Sequence, residues 1–231
     1  AALREGYEHF DPRAYLRNNY LPPRADFSSE EFVVPWKLRC LAETFASGEG
    51  RAAGAPSQAS QRGGETEARS TRGTRGQLLS PSLVFPVPRS VEPWQDKERR
   101  LRQRLRRILP IDVHRPEPLG APLRPAADAL LSAFCLEAVS PDRAAFVRAL
   151  AHVGNLLRPG GHALLLGALG ESFYLAGPAR LPVVPLRESD VREALAAAGF
   201  ALRELRSYAM PPALRTGVDD VDGVFFAHAQ K

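Results

Sequence analysis

The stretch from residue 47 to residue 77 carries, apart from Pro56, no apolar side chain larger than alanine. Glycine, serine, arginine and threonine dominate these 31 residues, and three prolines follow between residues 81 and 88. Ordering a backbone costs roughly 1 to 2 kcal/mol per residue, which such a composition cannot offset by burying side chains. The sequence therefore predicts disorder over residues 47–93 and confines the hydrophobic core to the flanking residues.

The overall composition is that of an ordinary α/β protein. The chain has 231 residues, enough for one core, and its net charge of +5 is too small to indicate a specific nucleic-acid partner. Cys40 and Cys135 are too few for a disulfide framework and fit a reducing compartment, so we expect a cytoplasmic protein. No apolar run approaches the roughly 18 residues of a membrane span, and no charged-then-apolar leader opens the chain.

The sequence divides into three parts. Residues 1–46 look folded, and their apolar residues between Trp36 and Phe45 recur close to every 3.6 residues, which predicts a helix. Residues 47–93 are the low-complexity segment. Residues 94–231 alternate strand and helix patterns, as a parallel sheet with covering helices requires.

The elements predicted in the third part follow one another at regular spacing. They are a basic helix over 96–107, a strand over 108–113, a strand over 129–134 buried on both faces, a helix over 141–157 stopped by Arg158-Pro159-Gly160-Gly161, a strand over 162–169, a helix over 188–198 ended by Gly199, and strands over 201–208 and 223–229.

The basic helix allows two interpretations. Seven cationic side chains lie within residues 97–107, and such an arm can bind phosphates nonspecifically. Alternatively, it is a solvated helix face whose Leu101, Leu105 and Ile108 pack on the sheet. No aromatic side chain is interleaved with the charges, so packing is the favoured interpretation.

Five separated motifs occur in a characteristic order. They are Tyr15-Leu-Arg-Asn-Asn-Tyr20, Pro35-Trp-Lys-Leu-Arg-Cys40, Leu109-Pro-Ile-Asp-Val-His114, Ser132-Ala-Phe-Cys-Leu-Glu-Ala-Val-Ser-Pro141 and Thr216-Gly-Val-Asp-Asp-Val221. With these motifs, residues 7–48 and 94–231 resemble the nicotinamide/phenylethanolamine/indolethylamine N-methyltransferase family.

The resemblance implies the class I S-adenosylmethionine-dependent methyltransferase fold, a Rossmann-like α/β sheet with helices on both faces, and S-adenosylmethionine as cofactor. That fold places a strand, a glycine-rich loop and a second strand ending in an acid between the two matching regions. Gly48-Glu-Gly50 and Gly63-Gly64 lack the flanking patterns of such a loop. We therefore expect a sheet without its first strands, with a disordered insert and an unpaired edge at 129–134. Residues 78–87 could replace a strand, although their prolines disfavour it.

The resemblance also implies a small aromatic amine as the substrate, of the phenylethanolamine type, such as noradrenaline. Methyl transfer requires a neutral amine held in line with the methyl group, and a carboxylate can bind the ammonium and help to remove its proton. The implied catalytic residues are Glu137, Glu171 and Asp219, with solvated surface acids as the alternative.

The remaining implied site residues form two groups. The substrate-binding residues are Tyr15, Asn19, Arg24, Val33, Lys37, Phe134, Tyr174, Met210 and Val224; Phe134 and Asn19 would flank the ring. The cofactor-binding residues are Tyr7, Tyr15, Tyr20, Asp112, Val113, Ala133, Cys135 and Val139. Core packing is the alternative for Phe134, and a side chain that reaches to water is the alternative for Lys37. We expect no metal, and a monomer or weak dimer.

Three functions stay open on the sequence alone. The first is an amine N-methyltransferase. The second is a catalytically impaired variant of that enzyme, because loss of two charge-assisted hydrogen bonds would weaken cofactor binding by on the order of a hundred-fold to ten-thousand-fold. The third is an unrelated basic binding protein.

Overall fold

The structure, a computed structural model, describes residues 7–22, 24, 26, 32–46 and 93–231, with the side chain of Trp94 excluded. The chain divides into two units, residues 1–52 with 108–231, and residues 53–107. The predicted disorder, the candidate glycine loops and the replacement strand at 78–87 fall outside the described residues. The division into 1–46, 47–93 and 94–231 stays a prediction.

The first unit contains a main sheet, a small hairpin and helices. Its helices are α1 (Pro12–Tyr20), α2 (Val33–Ala46), α4 (Leu136–Val139), α5 (Arg143–Gly154) and α6 (Glu188–Ala197), with a 3-10 turn at Pro212–Leu214. Its strands are β1 (Ala127–Ala133), β2 (Leu157–Leu169), β3 (Phe173–Ala176), β4 (Ala179–Pro182), β5 (Ala201–Ala209) and β6 (Gly223–Gln230). Helix α3 (Trp94–Arg104) belongs to the second unit.

The main sheet has the strand order β1-β2-β6-β5 and is mixed. β1 and β2 are parallel, as predicted, whereas β6 runs antiparallel to both β2 and β5. The expectation of a parallel sheet fails at β6, because the chain returns from β5 through a loop and a 3-10 turn rather than through a crossover helix. Among the described residues β1 pairs only with β2. The expectation that the first strands are lacking concerns residues outside the described ones and stays a prediction.

The side chains of β2 build a core on each face of the sheet. Ala163 and Leu165 point to one side, where they belong to the same apolar cluster as α5 and α6. Leu164 and Leu166 point to the other side and pack with α2. This alternation follows from the two-residue period of a strand. The predicted helices on both faces of the sheet are confirmed.

Several predicted boundaries are confirmed for physical reasons visible in the sequence. The predicted α2, α5, α6, β1, β2, β5 and β6 are all present, within a few residues of their expected bounds. Asp142 caps α5 by accepting the Ala145 N–H at 2.7 Å. Gly199, at φ +83°, ends α6 as predicted, because glycine adopts this left-handed conformation without steric cost.

Two predictions about the sheet are wrong. Residues 108–113 form no strand: Pro110 cannot donate to a ladder, and Asp112 instead turns the chain by accepting the His114 N–H at 3.0 Å. β1 is not buried on both faces, since Leu131 is 56% exposed on this edge strand. Consecutive side chains of a strand point to opposite faces of the sheet, and each is buried only where another element covers its face.

Two further predictions fail at element ends. Helix α3 stops at Arg104 rather than 107, because Leu105 is already extended. The side chains of Leu101, Leu105 and Ile108, which were expected to be covered, are exposed. The residues 158–161 are not a stop between elements but the first part of β2. There the Gly160 N–H donates to the Lys231 carbonyl at 2.8 Å, which extends the strand pairing.

Helix α1 and the β3–β4 hairpin were not predicted, although the sequence carries signals for both. Asp11 caps α1 by accepting the N–H groups of Arg13 and Ala14, and Pro12 stands at the first helical position. Gly177, at φ +67°, forms the hairpin turn. None of the described helices has the length and apolar composition needed to cross a lipid bilayer.

We expect Leu195→Ala to lower the free energy of unfolding by about 2 to 5 kcal/mol, because this fully buried side chain would leave a cavity under α6. The matched control is Leu131→Ala, whose side chain is half exposed on β1 and should cost less than about 1 kcal/mol. Chemical denaturation measures both. Equal losses would mean that Leu131 is covered in solution and that β1 is not an edge.

Candidate active site

Three buried carboxyl groups lie around the carboxyl end of β2. Glu137 belongs to α4, Glu171 follows β2, and Asp219 lies in the loop before β6. Glu137 is 3% exposed, and the other two are 9% exposed each. Burying an acid costs free energy unless it is paired, hydrogen-bonded or protonated, so such groupings are typical of functional sites. The alternative of solvated surface acids is excluded for all three.

Asp219 is held by Arg24 in a buried, bidentate ion pair. The Arg24 Nη2 donates to Asp219 Oδ1 at 2.8 Å, and Nη1 donates to Oδ2. The same guanidinium donates to the Leu214 carbonyl and, at 3.3 Å, to Asn19 Oδ1. The charge of the Asp219 carboxylate is therefore matched by the protein itself.

Glu171 and Glu137 lack such an ion pair among the described contacts, and their pKa values are raised. Burial raises the pKa of Glu171 to about 8, with further contributions from Asp219 and Glu137, while Arg24 opposes the shift. Burial raises the pKa of Glu137 to about 7, although the Ala168 N–H donates to its Oε1 at 3.0 Å. Both carboxyl groups thus exchange protons near neutral pH, as a general base must.

Four tyrosines from the N-terminal segment and the hairpin form a cluster beside these acids. The Tyr7 and Tyr174 hydroxyls lie 3.0 Å apart, and the Tyr15 ring centroid is 5.6 Å from that of Tyr174 and 6.1 Å from that of Tyr20. Burial raises the pKa of Tyr15 and Tyr174 well above the ordinary value, so both remain neutral phenols. The Asn18 amide donates to the Leu175 carbonyl, which fastens α1 to β3.

Two adjoining pockets share Phe134 and Glu171. The empty space inside them, about 360 and 320 Å³, includes space that is open to solvent. Together they bring all the predicted catalytic and substrate-binding residues to one place. The first is lined by Asn19, Arg24, Val33, Lys37, Phe134, Ala168, Glu171, Met210, Asp219, Val221 and Val224. The second is lined by Tyr15, Phe134, Glu137, Ala138, Glu171, Tyr174 and Val183.

Phe134 is held in an uncommon backbone conformation between the two pockets. Its φ is +51°, a left-handed value that non-glycine residues adopt mainly at turns and functional sites. The Phe134 N–H donates to the Leu166 carbonyl at 2.8 Å, which fixes the turn after β1. The ring is half-buried rather than part of a closed core. This position suits a ring that must contact a ligand.

Lys37 lies over the Phe134 ring, with its Nζ 4.4 Å from the centroid. Burial, with a further contribution from the nearby Arg24, lowers the pKa of Lys37 to about 8. The side chain therefore does not reach into bulk water, as the alternative interpretation of the sequence would have it. It puts a second cation beside the acids, at the polar end of the first pocket.

The predicted cofactor residues are only partly brought together. Tyr7, Tyr15 and Tyr20 belong to the tyrosine cluster, and Ala133 and Cys135 are exposed at the carboxyl end of β1. Asp112, Val113 and Val139 lie apart from both pockets. Val113 is buried in the core and its carbonyl lies 2.9 Å from His152 Nδ1, Val139 packs against the same core, and Asp112 pairs with Arg115.

An exposed strand end flanked by aromatic rings is where α/β sheets bind their ligands, at the carboxyl ends of parallel strands. Ala133 and Cys135 would hold the methionine part of S-adenosylmethionine there, with the tyrosines beside it. The residues present fit that part of the cofactor, and the segment expected to supply the glycine-rich loop lies outside the described residues. The individual cofactor contacts stay predictions. Within the described residues no group of three or more potential ligands could hold a metal ion.

The sequence did not single out four pocket residues. Ala138 and Val221 stand inside matched motifs, and Ala168 stands in a predicted strand, so the motifs and the strand pattern could have indicated them. Val183 follows the unpredicted hairpin and carried no signal of its own.

Comparisons with known proteins give a consistent family. The sequence model of the NNMT/PNMT/TEMT family matches residues 84–231. The phenylethanolamine N-methyltransferases of Sus scrofa and Homo sapiens are each 52% identical, over 261 and 271 aligned residues, and the alignments cover 100% of this chain and 92% of each relative. The nicotinamide N-methyltransferase of Homo sapiens is 39% identical over 46% of this chain and 40% of its own length.

The Sus scrofa alignment is 30 positions longer than this chain, so at least that many positions of the relative have no counterpart here. Among solved structures, an S-adenosylmethionine-dependent methyltransferase from Methanosarcina mazei is 17% identical, with a TM-score of 0.38 over 46% of this chain and 59% of that chain.

We expect Arg24→Met to lower the free energy of unfolding by about 3 to 5 kcal/mol, because it leaves the buried Asp219 carboxylate without its counter-ion. Arg158→Met, which breaks the exposed pair with Asp128, should cost less than about 1 kcal/mol. Adding Asp219→Leu to Arg24→Met should restore most of the loss. Chemical denaturation measures all three, and a persistent loss in the double variant would contradict the ion-pair explanation.

We expect Glu171→Gln to stabilise the protein increasingly from pH 5 to pH 8. A carboxyl group whose pKa rises to about 8 on folding contributes stability below its ordinary pKa and loses it as the pH rises towards 8. Glutamine does not ionise, so the gain should be on the order of 2 to 4 kcal/mol at pH 8 and small at pH 5. Denaturation at each pH measures it, with the exposed Glu193→Gln as a control that shows no such trend.

Proposed function

The chain belongs to the NNMT/PNMT/TEMT family, and we propose that it transfers a methyl group from S-adenosylmethionine to the amine nitrogen of phenylethanolamine-type substrates such as noradrenaline. One observation carries the proposal: the residues implied by the family resemblance line two adjoining pockets with apolar walls and three buried acids. Because the phenylethanolamine N-methyltransferases match over the whole chain, neither an impaired variant nor an unrelated basic protein is the favoured interpretation.

The first pocket suits an aromatic ring. Val33, Met210 and Val224 supply apolar walls and Phe134 supplies a ring face, so the aromatic part of the amine would be buried here. Polar groups occur mainly at one end, where Lys37 and the Arg24–Asp219 pair lie. Such an arrangement orients a molecule that is apolar at one end and polar at the other.

The ammonium group of the substrate would bind at Glu171, which both pockets share. Asp219 is less suited to this role because Arg24 already occupies both of its carboxylate oxygens. Binding of a cation lowers the pKa of a neighbouring acid, so Glu171 becomes ionised as the substrate enters. Its carboxylate then accepts a proton from the ammonium, directly or through water, and leaves the nitrogen lone pair free.

Glu137 lies next to this position, in the second pocket, and its pKa of about 7 makes it a second proton acceptor. The neutral tyrosines Tyr15 and Tyr174 close the same pocket and exclude water. When bound, S-adenosylmethionine supplies an electrophilic methyl group on a sulfonium. The chain's own contribution is to bind the amine, remove its proton and aim its lone pair at that methyl group.

The setting of the protein is part of the proposal. The free cysteines Cys40 and Cys135 support a reducing, cytoplasmic compartment. A monomer or weak dimer without a nucleic-acid or membrane partner would suffice for the chemistry, because every residue named above comes from one chain. Catecholamine biosynthesis is the process in which an N-methylated phenylethanolamine would be used.

The test is transfer of labelled methyl from S-adenosylmethionine to phenylethanolamine by the purified chain. We expect kcat/KM to rise between pH 6 and pH 8.5, because Glu171 must lose its proton to act. Glu171→Gln should lower kcat/KM by about a hundredfold or more, since it removes the proton acceptor. Glu193→Gln, on the exposed face of α6, should leave kcat/KM unchanged.

Absence of any transfer by the unmodified chain would contradict the proposal. Calorimetric titration with S-adenosylmethionine then identifies the cause: no binding indicates the impaired variant, whereas binding without transfer indicates a different acceptor molecule.

A further inference from the structure

Gly167 lies on β2 between the two cores, beside the Glu137 carboxylate. A Cβ built on this glycine would lie 2.8 Å from Glu137 Oε1, and 2.5 and 2.7 Å from two ring atoms of Phe225, its partner on β6. Contacts below 3.0 Å are essentially never seen for real Cβ atoms. Any side chain at position 167 must therefore displace the carboxylate, the ring or both.

The carboxylate of Glu137 has little freedom to move away. Its Oε1 accepts the Ala168 N–H at 3.0 Å, and the residue is 3% exposed. The Glu137 carbonyl accepts the Val184 N–H at 3.1 Å, which fixes the backbone of α4 as well. The Glu137 carboxylate is thus held by its hydrogen bond, and it occupies space that is free only because Gly167 has no side chain.

This arrangement has a bearing on the site, because Glu137 lines the second pocket together with Glu171. Glycine inside a strand weakens the strand, since it has no side chain to pack and loses the most conformational freedom on folding. Gly167 has no left-handed φ to explain its presence, in contrast to Gly170 or Gly177. The absence of a side chain at position 167 leaves space for the Glu137 carboxylate and the Phe225 ring.

We propose that Gly167 is a positioning residue of the methyl-transfer site: its missing side chain leaves the notch in which the Glu137 carboxylate binds the Ala168 N–H and faces the second pocket. The catalytic part of this inference rests on the proposed function, whereas the steric part does not. The competing explanation is that Gly167 only makes room for the Phe225 ring, as glycines in strands often do for an aromatic neighbour.

A double-mutant cycle between Gly167→Ala and Glu137→Ala separates the two explanations. All variants carry Phe225→Leu, which removes the ring atoms closest to position 167. We expect Gly167→Ala to lower kcat/KM for phenylethanolamine at least tenfold when Glu137 is present, and less than twofold when Glu137 is alanine. Equal losses in both backgrounds would overturn the proposal, because Gly167 would then act without Glu137.

The same four proteins are compared by chemical denaturation, which needs no activity. Gly167→Ala should lower the midpoint of unfolding when Glu137 is present, and Glu137→Ala should abolish that loss. If Gly167→Ala prevents folding, recovery of a folded protein on adding Glu137→Ala supports the notch. Failure of both to fold overturns it.

Gly154→Ala is the matched control. Its Cβ would meet only the Phe200 ring, at 3.0 and 3.2 Å, with no carboxylate nearby, so its effect should be the same with and without Glu137. If the unmodified chain transfers no methyl group, the proposed function fails, and the denaturation cycle still decides whether Gly167 positions Glu137.

Discussion

The buried ion pair between Arg24 and Asp219 is the interaction on which the site depends. It joins the N-terminal segment to the loop before β6, and its guanidinium also binds the Leu214 carbonyl and Asn19. Replacing a buried ion pair with apolar residues is often neutral or stabilising, so stability alone does not explain its presence. The effect of the pair on the neighbouring acids explains its presence, because Arg24 supplies positive charge where three carboxyl groups meet.

The three acids differ because their surroundings differ. Asp219 is paired with Arg24, while burial raises the pKa of Glu171 to about 8 and that of Glu137 to about 7. Like charges in a shared site disfavour one another's ionisation, and Asp219 contributes to the shift at Glu171 in this way. One carboxylate thus serves the structure and two remain available for proton transfer, a division set by environment rather than by residue type.

Sequence patterns predicted what depends on local periodicity. The 3.6-residue repeat gave α2, and the alternation of strands and helices gave the sheet with helices on both faces. The family resemblance implied the three acids and all the substrate-binding candidates that line the pockets, several of them outside the five quoted motifs, although their roles stay predictions. A family resemblance succeeds here because it carries the chemistry of the family independently of the local fold.

Features that depend on pairs of distant residues could not be predicted. The antiparallel return of β6, the exposure of Leu131 and the Arg24–Asp219 pair all arise from contacts between segments far apart in the chain. The strand predicted over 108–113 failed because an apolar pattern was given more weight than Pro110. The notch at Gly167 is of the same kind, since a glycine in a strand indicates a close approach without naming the group that approaches.

The described residues of the two pockets come from two separate parts of the chain. The described residues that line the two pockets lie within 15–37 or 134–224. Two of the acids are held by groups from these same ranges: Asp219 by Arg24, and Glu137 by the Ala168 N–H. The predicted cofactor side is the exposed end of β1, at the edge of the described sheet that no other described strand covers.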